Sequence, residues 1–345
     1  MEWETTLFFA TKQQYTAMDA YVVLLAGALI ALAIWLTKGR TFISPDGVSV
    51  FISGCDTGIG NRLAVLFAGM GCQVFAGCLD PVTAKSSLPD TVRIVRLDVT
   101  DEDSVLEAVA TIQNILEEEK MELWALVNNA GVCVYGLYEW QTSQQRDRQV
   151  QVNLLGTMRL TRACLPLLQK SKGRIITMSS VNGSIAYPGL VTYSATKFAL
   201  EGFNNALRTE VGPQYGIRVI TIQPGDYARI TSIMSQHRRN MEEMWDAMSF
   251  TQQEQCSEYF QKYHQRVLQN YGLTSPTSWE GSPLLHDMKD AVLGENPSNK
   301  YLSAPFIHRL VYRLMILVPQ SWTDFVLIKL VHYIHKSDES KQNGH

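Results

Sequence analysis

The sequence predicts an α/β protein built on one doubly wound parallel sheet. Its 345 residues are enough for one large domain with additions at both ends. Short apolar runs that fit buried strands alternate along the chain with segments that have the periodicity of amphipathic helices. That alternation implies parallel strands joined by right-handed helical crossovers. The predicted strands cover residues 48–53, 73–79, 91–97, 123–127, 174–179 and 218–223.

A glycine-rich turn follows the first predicted strand and opens the first predicted helix. It reads Gly54-Cys-Asp-Thr-Gly58-Ile-Gly60. Glycines permit a tight turn and let a pyrophosphate approach the N-terminus of the helix. We therefore assign Gly54, Thr57, Gly58, Ile59 and Gly60 to dinucleotide binding. The alternative is an ordinary glycine-rich loop, which is the better interpretation of such a motif standing alone.

The residues that can carry out proton chemistry follow the fifth predicted strand. Tyr193 and Lys197 are four positions apart, so on a helix the ammonium lies beside the phenol. A nearby cation favours the phenolate and lowers the pKa of Tyr193. Tyr193 can then exchange a proton with an alcohol or carbonyl oxygen while Ser180 hydrogen-bonds the same oxygen. On its own this spacing is typical of a solvated surface pair, and the glycine turn upstream is what favours an active site.

Further motifs occur in the order and spacing of the short-chain dehydrogenase/reductase family, which the chain resembles over roughly residues 46–300. Beside the glycine turn, Ser180, Tyr193 and Lys197, they are Leu97-Asp98-Val99, Asn128-Asn129-Ala130-Gly131, Asn153 and Pro224-Gly225. The turn and the run Val74-Phe-Ala-Gly-Cys-Leu are similar to one branch of that family. This branch contains membrane-associated retinol dehydrogenases, type 2 17β-hydroxysteroid dehydrogenase and D-3-hydroxybutyrate dehydrogenase. The resemblance implies a single Rossmann-type domain.

The resemblance also implies a role for each catalytic residue. Tyr193 is similar to the general acid/base, and Lys197 to the residue that lowers its pKa and binds the nicotinamide ribose. Ser180 matches the donor to the substrate oxygen, and Asn153 matches the asparagine that holds a proton-relay water near the lysine. Cofactor contacts are implied at Asp98, Val99, Asn128, Ala130, Gly131, Pro224 and Gly225, together with Tyr193 and Lys197. For Asn128 a structural turn is an equal alternative, because asparagine stabilises turns through its own side chain.

The end of the second strand predicts NAD, with NADP as the less favoured cofactor. Residues 73–80 contain no arginine or lysine, whereas a 2′-phosphate calls for a cation. Asp80 lies about 20 positions after the glycine turn, where an acid suits a free ribose 2′-hydroxyl. Many NAD-dependent members of the family carry that acid at the position of Cys78, so Asp80 is two residues late. An alternative of equal weight is that Asp80 only begins the turn Asp80-Pro81.

The N-terminal part of the chain predicts a membrane anchor. After a segment at 1–19, residues 20–37 form an uncharged apolar run that spans roughly 27 Å as a helix. That length suits a thin bilayer such as the endoplasmic reticulum. Residues 1–19 have no basic region, which disfavours a cleaved signal peptide. Lys38 and Arg40 follow the run, so we expect a single-pass protein with its catalytic domain facing the cytosol.

Three more regions complete the predicted organisation. The dehydrogenase domain occupies residues 46–304, and a segment rich in methionine, glutamine and aromatic residues at 226–275 corresponds to a substrate lid. Residues 305–336 alternate long apolar runs with cations, which is typical of helices in a membrane interface. An amphipathic helix packed on the sheet is a nearly equal alternative for this region. The polar tail at 337–345 is predicted to be disordered.

Composition disfavours several other classes of function. A net charge of −3 without a dense basic run gives no support for nucleic-acid binding. The six cysteines have no metal-ligand spacing, so we predict no metal site. They fit reduced thiols in a domain that faces the cytosol.

The substrate prediction depends on charge near the reacting carbon. Residues 181–192 contain no cation, which disfavours a carboxylate and favours a bulky apolar alcohol. A steroid, in a hydroxysteroid or ecdysteroid pathway, or a retinoid fits this description. One alternative is a D-3-hydroxybutyrate-type hydroxy acid, with Arg229 as its cation. Another is a catalytically silent cofactor-binding scaffold, and a homodimer is expected from the resemblance alone.

Overall fold

The computed structural model of the protein describes Gly27 and residues 40–336, the last seven of them by their backbone only. The chain divides into Met1–Thr41, almost all of it outside the described residues, and a compact unit Phe42–His345. The predicted anchor at 20–37, except Gly27, and the predicted tail at 337–345 also lie outside the described residues. None of the described helices is long and apolar enough to cross a bilayer.

A parallel sheet forms the centre of the compact unit. Its strands are β1 (Ser49–Ser53), β2 (Gln73–Cys78), β3 (Arg93–Arg96), β4 (Leu123–Asn128), β5 (Arg174–Met178), β6 (Arg218–Pro224) and β7 (Lys300–Ser303). Their order across the sheet is β3-β2-β1-β4-β5-β6-β7, and every neighbouring pair runs parallel. The prediction of a doubly wound parallel sheet is therefore confirmed.

β7 is the strand that the sequence prediction lacks. It has four residues and begins with a charged one, so no apolar run marks it. Its place depends on pairing with β6, in register from Thr221 with Lys300 to Pro224 with Ser303. The third predicted strand was also too long, since β3 spans 93–96 and not 91–97.

Helices connect the strands and cover both faces of the sheet. They are α1 (Gly58–Gly69), α2 (Pro81–Lys85), α3 (Glu102–Glu118), α4 (Ser143–Val150), α5 (Thr157–Ser171), α6 (Val191–Tyr215), α7 (His237–Asp246), α8 (Phe250–Asn270), α9 (Pro283–Leu293), α10 (Phe306–Leu317) and α11 (Gln320–Lys336). Local sequence sets several of their starts. Thr142 with Gln145 and Ser249 with Gln252 form capping boxes at the N-termini of α4 and α8.

The hydrophobic core has two parts, one on each face of the sheet. Val50 and Ile52 of β1 pack in the cluster that contains α1 and α9, whereas Phe51 packs in the cluster that contains α3 and α5. Successive strand residues point to opposite faces, so a sheet covered on both sides needs continuous apolar runs. With both faces covered, the carboxyl ends of the strands are left as the place where a ligand binds.

A buried arginine fastens α9 to the sheet. Arg174, the first residue of β5, donates from Nη1 to the Ala291 carbonyl oxygen at 2.8 Å and from Nη2 to the Gly294 carbonyl oxygen at 2.6 Å. Its guanidinium lies 4.8 Å from the ring centroid of Trp124. Burial lowers the pKa of Arg174 to about 10, which leaves the side chain charged at neutral pH. The cation thus satisfies carbonyl groups at the C-terminal end of α9.

The helices α10 and α11 occupy the region predicted to associate with the membrane. Tyr312 and Leu327 attach them to the domain by packing with Val181 and Ile185. Much of the remaining apolar surface of this pair is exposed. It comprises Phe306, Ile307, Leu310, Val311, Leu314, Ile316, Leu317, Val318, Trp322, Phe325, Val326 and Ile328. An exposed apolar patch of this extent is typical of an interaction surface.

We predict that Arg174→Met lowers the free energy of unfolding by about 2–4 kcal/mol, because it leaves the two buried carbonyl groups at the end of α9 without a donor. Chemical unfolding of the purified protein measures the change. Arg218→Met is the matched control, since Arg218 pairs in register with Arg174 on β6 but is exposed. The control should stay within about 0.5 kcal/mol of the parent. Equal effects of the two substitutions would contradict the assigned role of Arg174.

Candidate active site

The predicted catalytic residues meet beyond the carboxyl ends of β4 and β5. Ser180 follows β5 by two positions, Tyr193 and Lys197 lie on α6, and Asn153 lies in a π-helical segment, Gln151–Gly156, between α4 and α5. A hydrogen bond of 3.1 Å joins Asn153 Nδ2 to Thr196 Oγ1 of α6. The four residues that are distant in sequence are therefore brought to one place.

Asn153 is fully buried and holds the loop after β4. Its Oδ1 accepts the Val132 N–H at 2.8 Å, and its Nδ2 donates to the Val132 carbonyl oxygen at 2.9 Å. The π-helical turn that carries it interrupts an otherwise α-helical stretch, and such turns occur frequently at functional sites. A Cβ on Gly131 would lie 3.4 Å from Asn153 Oδ1 and 3.8 Å from Lys197 Nζ, which places Gly131 beside the catalytic residues.

Lys197 is buried with its ammonium group bonded to the backbone. Its Nζ donates to the Met178 carbonyl oxygen at 2.8 Å and lies 5.5 Å from the ring centroid of Tyr193. Burial lowers the pKa of Lys197 to about 8, while interactions with Cys133 and Glu201 oppose the decrease. The lysine is therefore close to losing its charge in the physiological range of pH.

The pKa of Tyr193 shifts in the direction opposite to the sequence prediction. Burial raises it above the ordinary tyrosine value, Cys133 raises it further, and a hydrogen bond with Ser180 lowers it. Lys197 lies 5.5 Å from the ring centroid of Tyr193, but its ammonium group bonds the Met178 carbonyl oxygen. In the described residues burial therefore disfavours the phenolate that the sequence predicted.

Ser180 is held in a tight turn at the end of β5. Its hydroxyl accepts the Asn182 N–H at 3.1 Å and caps the short 3₁₀ helix Val181–Gly183. The neighbouring Ser179 hydroxyl donates to the Lys197 carbonyl oxygen at 3.4 Å, so the turn also contacts α6. These contacts orient Ser180 toward Tyr193, with which it shares a hydrogen bond.

Neighbouring atoms leave no room for a side chain at two glycines of the turn. Gly54 has a φ of +70°, and a Cβ there would lie 2.8 Å from the Cα of Ala130. A Cβ on Gly60 would collide with the Gly54 carbonyl oxygen and the side-chain nitrogen of Asn129. Thr57 precedes α1 but makes no side-chain capping bond, so the first N–H groups of α1, from Gly58 and Ile59 onward, remain for a ligand. This cradle fits the pyrophosphate of a dinucleotide.

Two residues that the sequence prediction did not assign to the site hold this turn. The Ser53 hydroxyl accepts the N–H groups of Asn129 at 3.0 Å and Ala130 at 3.1 Å. The Asn129 side chain donates to the carbonyl oxygens of Ser53 at 2.9 Å and Gly54 at 3.1 Å. They lock the ends of β1 and β4 together. Their positions within the two motifs were visible in the sequence, but the contacts between the motifs were not.

Asp80 caps a helix, where the structural alternative had it begin a turn. Its carboxylate accepts the N–H groups of Val82 at 3.1 Å and Thr83 at 3.2 Å at the start of α2. Asp56, which the sequence prediction did not assign, links this region to the glycine turn. It accepts the N–H groups of Leu79 at 3.1 Å and Asp80 at 2.7 Å. Two carboxylates therefore lie at the end of β2, where the ribose of a dinucleotide binds in this fold.

The remaining cofactor candidates lie at the ends of neighbouring strands. Asp98 follows β3 and accepts both the N–H and the hydroxyl of Thr100, at 2.8 and 2.7 Å. Val99 is buried and lies close to Gly156. Asn128 ends β4 and donates to Thr161 Oγ1 at 2.8 Å, while its buried Oδ1 has no partner among the described residues. This contact joins the end of β4 to α5 and is not the local turn that the sequence offered as the alternative.

The turn after β6 connects the catalytic end of the sheet with the lid. Pro224 ends β6, and the Gly225 N–H donates to the Ser303 carbonyl oxygen at 3.0 Å. Asp226 then accepts both the N–H and the hydroxyl of Thr274, at 3.2 and 3.0 Å, which joins the two ends of the lid. Within the lid, the Ser232 hydroxyl lies 2.5 Å from the Thr57 hydroxyl of the glycine turn.

An apolar and aromatic cluster packs the lid against the rest of the domain. Met244 is fully buried there with Val134, Trp140 and Phe260, and Met241, Trp245 and Met248 pack around them. These methionines thus serve core packing. Two buried histidines lie next to the cluster, with His264 Nδ1 3.2 Å from His237 Nε2. Burial lowers their pKa values to about 3 and about 4, so both are neutral at physiological pH.

No group of three metal-ligating side chains occurs within residues 40–336. The cysteines among these residues are free thiols, in line with the absence of a paired spacing in the sequence. Cys133 is the one next to the catalytic residues, and burial raises its pKa to about 12, so its thiol is protonated.

Comparison with known proteins agrees with the geometry. A family model described as short chain dehydrogenase matches residues 49–242. The chain is 31% identical to mitochondrial D-beta-hydroxybutyrate dehydrogenase of Mus musculus over 303 residues, covering 84% of this chain and 87% of that protein. It is 31% identical to retinol dehydrogenase 7 of Mus musculus, covering 81% and 87%. It is 30% identical to 17-beta-hydroxysteroid dehydrogenase type 6 of Bos taurus, covering 90% and 97%.

A solved structure has a similar fold. The 3-ketoacyl-(acyl-carrier-protein) reductase of Brucella melitensis, crystallised as a complex with NADH, matches with a TM-score of 0.51 and 25% identity. The match covers 58% of this chain and 83% of that one.

We predict that Gly60→Ala lowers the free energy of unfolding by about 1–3 kcal/mol, because the new Cβ displaces the Gly54 carbonyl and Asn129. It should also remove the stabilisation that added NADH confers on thermal unfolding. Gly69→Ala is the matched control on the same helix, since nothing lies within 4 Å of its added Cβ. The control should keep its response to NADH. Retention of that response by Gly60→Ala would contradict the assignment of the cradle.

Proposed function

The chain belongs to the short-chain dehydrogenase/reductase family and is an NAD(P)-dependent oxidoreductase that acts on CH–OH groups, and from that premise we propose that its substrate is an apolar lipid alcohol or ketone. A hydroxysteroid, an ecdysteroid or a retinoid has the required chemistry. We further propose that the enzyme uses NAD and works at a membrane surface.

The catalytic residues divide the proton chemistry of alcohol oxidation among them. The bound nicotinamide supplies the hydride acceptor. Tyr193 takes the proton of the substrate hydroxyl, and Ser180 hydrogen-bonds the same oxygen. We propose that Lys197, whose Nζ lies 5.5 Å from the Tyr193 ring centroid, supplies positive charge that offsets the effect of burial on the phenol. Asn153 holds the loop that borders the site, and the family resemblance implies that it also holds a relay water through which the proton leaves.

The polarity of the surroundings carries the proposal about the substrate. On one side of Ser180, Val181 and Ile185 belong to an apolar cluster with Tyr312 of α10 and Leu327 of α11. The lid contains a second apolar cluster and two neutral histidines. Lys197 already bonds Met178, so it is not placed as a partner for a substrate carboxylate. A site with this lining favours an uncharged apolar molecule.

Charge at the end of β2 supports NAD over NADP. The carboxylates of Asp56 and Asp80 both lie there, and a ribose 2′-phosphate would be repelled by them. Thr57 in the adjoining glycine turn is uncharged. One structure of similar fold was solved with NADH, in agreement with this proposal.

The exposed apolar surface of α10 and α11 supports membrane association. Phe306 is 73% exposed, Leu317 81% and Trp322 67%, which costs free energy in water unless a partner covers them. Exposed cations on the same helices, such as Arg313 and Lys329, fit a position at the headgroup level. The same helices contact the loop after Ser180, so a substrate dissolved in the bilayer lies close to the site. The single-pass anchor at 20–37, the location in the endoplasmic reticulum and a homodimer stay predictions.

A D-3-hydroxybutyrate-type activity is the second candidate, favoured by similarity to the mouse hydroxybutyrate dehydrogenase. Its carboxylate would need a cation close to Ser180 and Tyr193. Arg229 is the candidate from the lid; it is exposed, and its backbone packs against Gly272. The apolar surroundings of Ser180 are the reason for preferring a lipid.

We expect the detergent-solubilised full chain to form NADH from hydroxysteroids or retinols, with a lower rate on D-3-hydroxybutyrate and with NADP. Tyr193→Phe should reduce this rate by about 100-fold or more, because it removes the group that exchanges the proton. Tyr215→Phe, at the far end of the same helix, is the matched control. The absorbance of the reduced cofactor measures the rate for each substrate, cofactor and variant.

The outcomes separate the candidates. Turnover of hydroxybutyrate alone would contradict the lipid proposal, and Arg229→Met should then abolish it. Binding of NADH without turnover on any alcohol would favour a catalytically silent scaffold. A rate that Tyr193→Phe leaves unchanged would contradict the catalytic assignment itself.

For the membrane surface, we predict that brominated phosphatidylcholine quenches Trp322 when the full chain is reconstituted in vesicles. Trp322→Phe should then remove part of the quenched fluorescence, because this exposed side chain lies on α11. Trp279→Phe serves as the control, since Trp279 stacks on Tyr227 within the domain. If both variants lose the same quenched fraction, α11 does not lie in the membrane interface.

A further inference from the structure

Glu201 is a carboxylate one turn beyond Lys197 on α6, and only 9% of it is exposed. Its Oε1 accepts a hydrogen bond from Gln223 Nε2 at 2.9 Å, and its Oε2 lies 2.9 Å from Lys300 Nζ. Gln223 also donates to Ser184 Oγ at 2.7 Å. The network therefore links α6, β6 and β7 to the loop that begins at Ser180.

The packing around Glu201 also reaches the catalytic serine turn. A Cβ on Gly183 would lie 3.0 Å from the Lys197 carbonyl oxygen and 3.2 Å from Glu201 Cγ. The turn that follows Ser180 is thus in close contact with both charged residues. A change in the position of Glu201 would move this turn.

Charge connects Glu201 to Lys197 as well. Burial lowers the pKa of Lys197, and the carboxylate of Glu201 raises it. Burying the Glu201 carboxylate costs free energy. A single salt bridge to Lys300, whose side chain is half exposed, offsets little of that cost. Support of a catalytic cation is a stronger reason to keep the carboxylate there, because perturbed ionisable groups gather at active sites.

We propose that Glu201 is a positioning residue that keeps Lys197 in its cationic form and holds the loop after Ser180 in place. The inference rests on the proposed dehydrogenase function, in which the cation of Lys197 supports Tyr193 and binds the cofactor ribose. Lys197 touches the reacting groups, and Glu201 acts through it.

The charged and titratable groups around the pair are few. Lys197 faces Tyr193 on its own helix and Cys133 from the loop after β4, and both of these are neutral because burial raises their pKa values. Glu201 faces Lys300 of β7 and Arg208 of α6. Lys300 has 48% of its side chain exposed, so water and salt screen it, and it offsets Glu201 only in part.

The test uses Glu201→Gln in the full-length protein, a change that preserves shape and the acceptor for Gln223. Lys197 is charged below its pKa and neutral above it, so loss of the carboxylate should lower the pH at which the charge is lost. We expect the alkaline limb of kcat/KM, and of NADH affinity, to move down by about one pH unit. At a pH near 8 the variant should bind NADH several-fold more weakly than the parent does.

Lys300→Met tests the same charge in the opposite direction. It leaves Glu201 less compensated, so the alkaline limbs should move up. Glu210→Gln is the matched control, an exposed carboxylate on the same helix, and should shift neither limb. A purely structural role would lower the melting temperature of Glu201→Gln without moving either limb, and that result would overturn the proposal. If Glu201→Gln fails to fold, the absence of an upward shift in Lys300→Met overturns it.

NADH binding separates this proposal from the proposed function. Binding is measured by fluorescence titration and needs no substrate, so it reports on Lys197 even if no alcohol is turned over. If the alkaline limb of NADH affinity is unshifted in both variants, the proposed role of Glu201 is contradicted even when turnover is found. Shifted binding without turnover would support Glu201 and contradict the dehydrogenase assignment.

Discussion

The buried side chain of Asn153 is the contact on which the geometry of the site depends. It bonds both backbone groups of Val132 and the hydroxyl of Thr196, so it ties the loop after β4 to the catalytic helix. A buried polar group left without its partner costs about 1–3 kcal/mol. Because one amide satisfies several such groups, the loop and the helix have one favourable relative position. The π-helical turn is what places Asn153 deep enough to reach both.

Burial disfavours the charged forms of Tyr193 and Lys197, which are the forms that their proposed catalytic roles require. A dry site strengthens each electrostatic contact, but it disfavours the charged form of both Tyr193 and Lys197. The neutral tyrosine and the weakened lysine are therefore products of the same desolvation. As we propose, Glu201 supplies the added charge that keeps Lys197 cationic.

The two apolar regions, the lid and the pair α10 and α11, differ in how much of their surface the domain covers. The lid buries its methionine and aromatic side chains against the domain, so its apolar surface is already satisfied. The pair α10 and α11 buries only Tyr312 and Leu327 on the domain side and leaves most of its apolar residues exposed. The pair α10 and α11 also packs on Val181 and Ile185, in the loop after Ser180, so its exposed apolar surface lies near the candidate site.

The sequence by itself determined the strand and helix alternation and the glycine turn, because these follow from local periodicity and short spacing, and the family resemblance pointed to Asn153, Ser180, Tyr193 and Lys197 as catalytic candidates. Only the tertiary structure decided which long-range partners the side chains have. β7 forms by pairing with the edge of β6, Asp56 accepts a backbone N–H group at the end of β2, and Asp80 caps a helix. The pKa of Tyr193 is raised by burial, which no short window of sequence reports. Spacing brings two groups close, but the surrounding atoms decide what charge they carry.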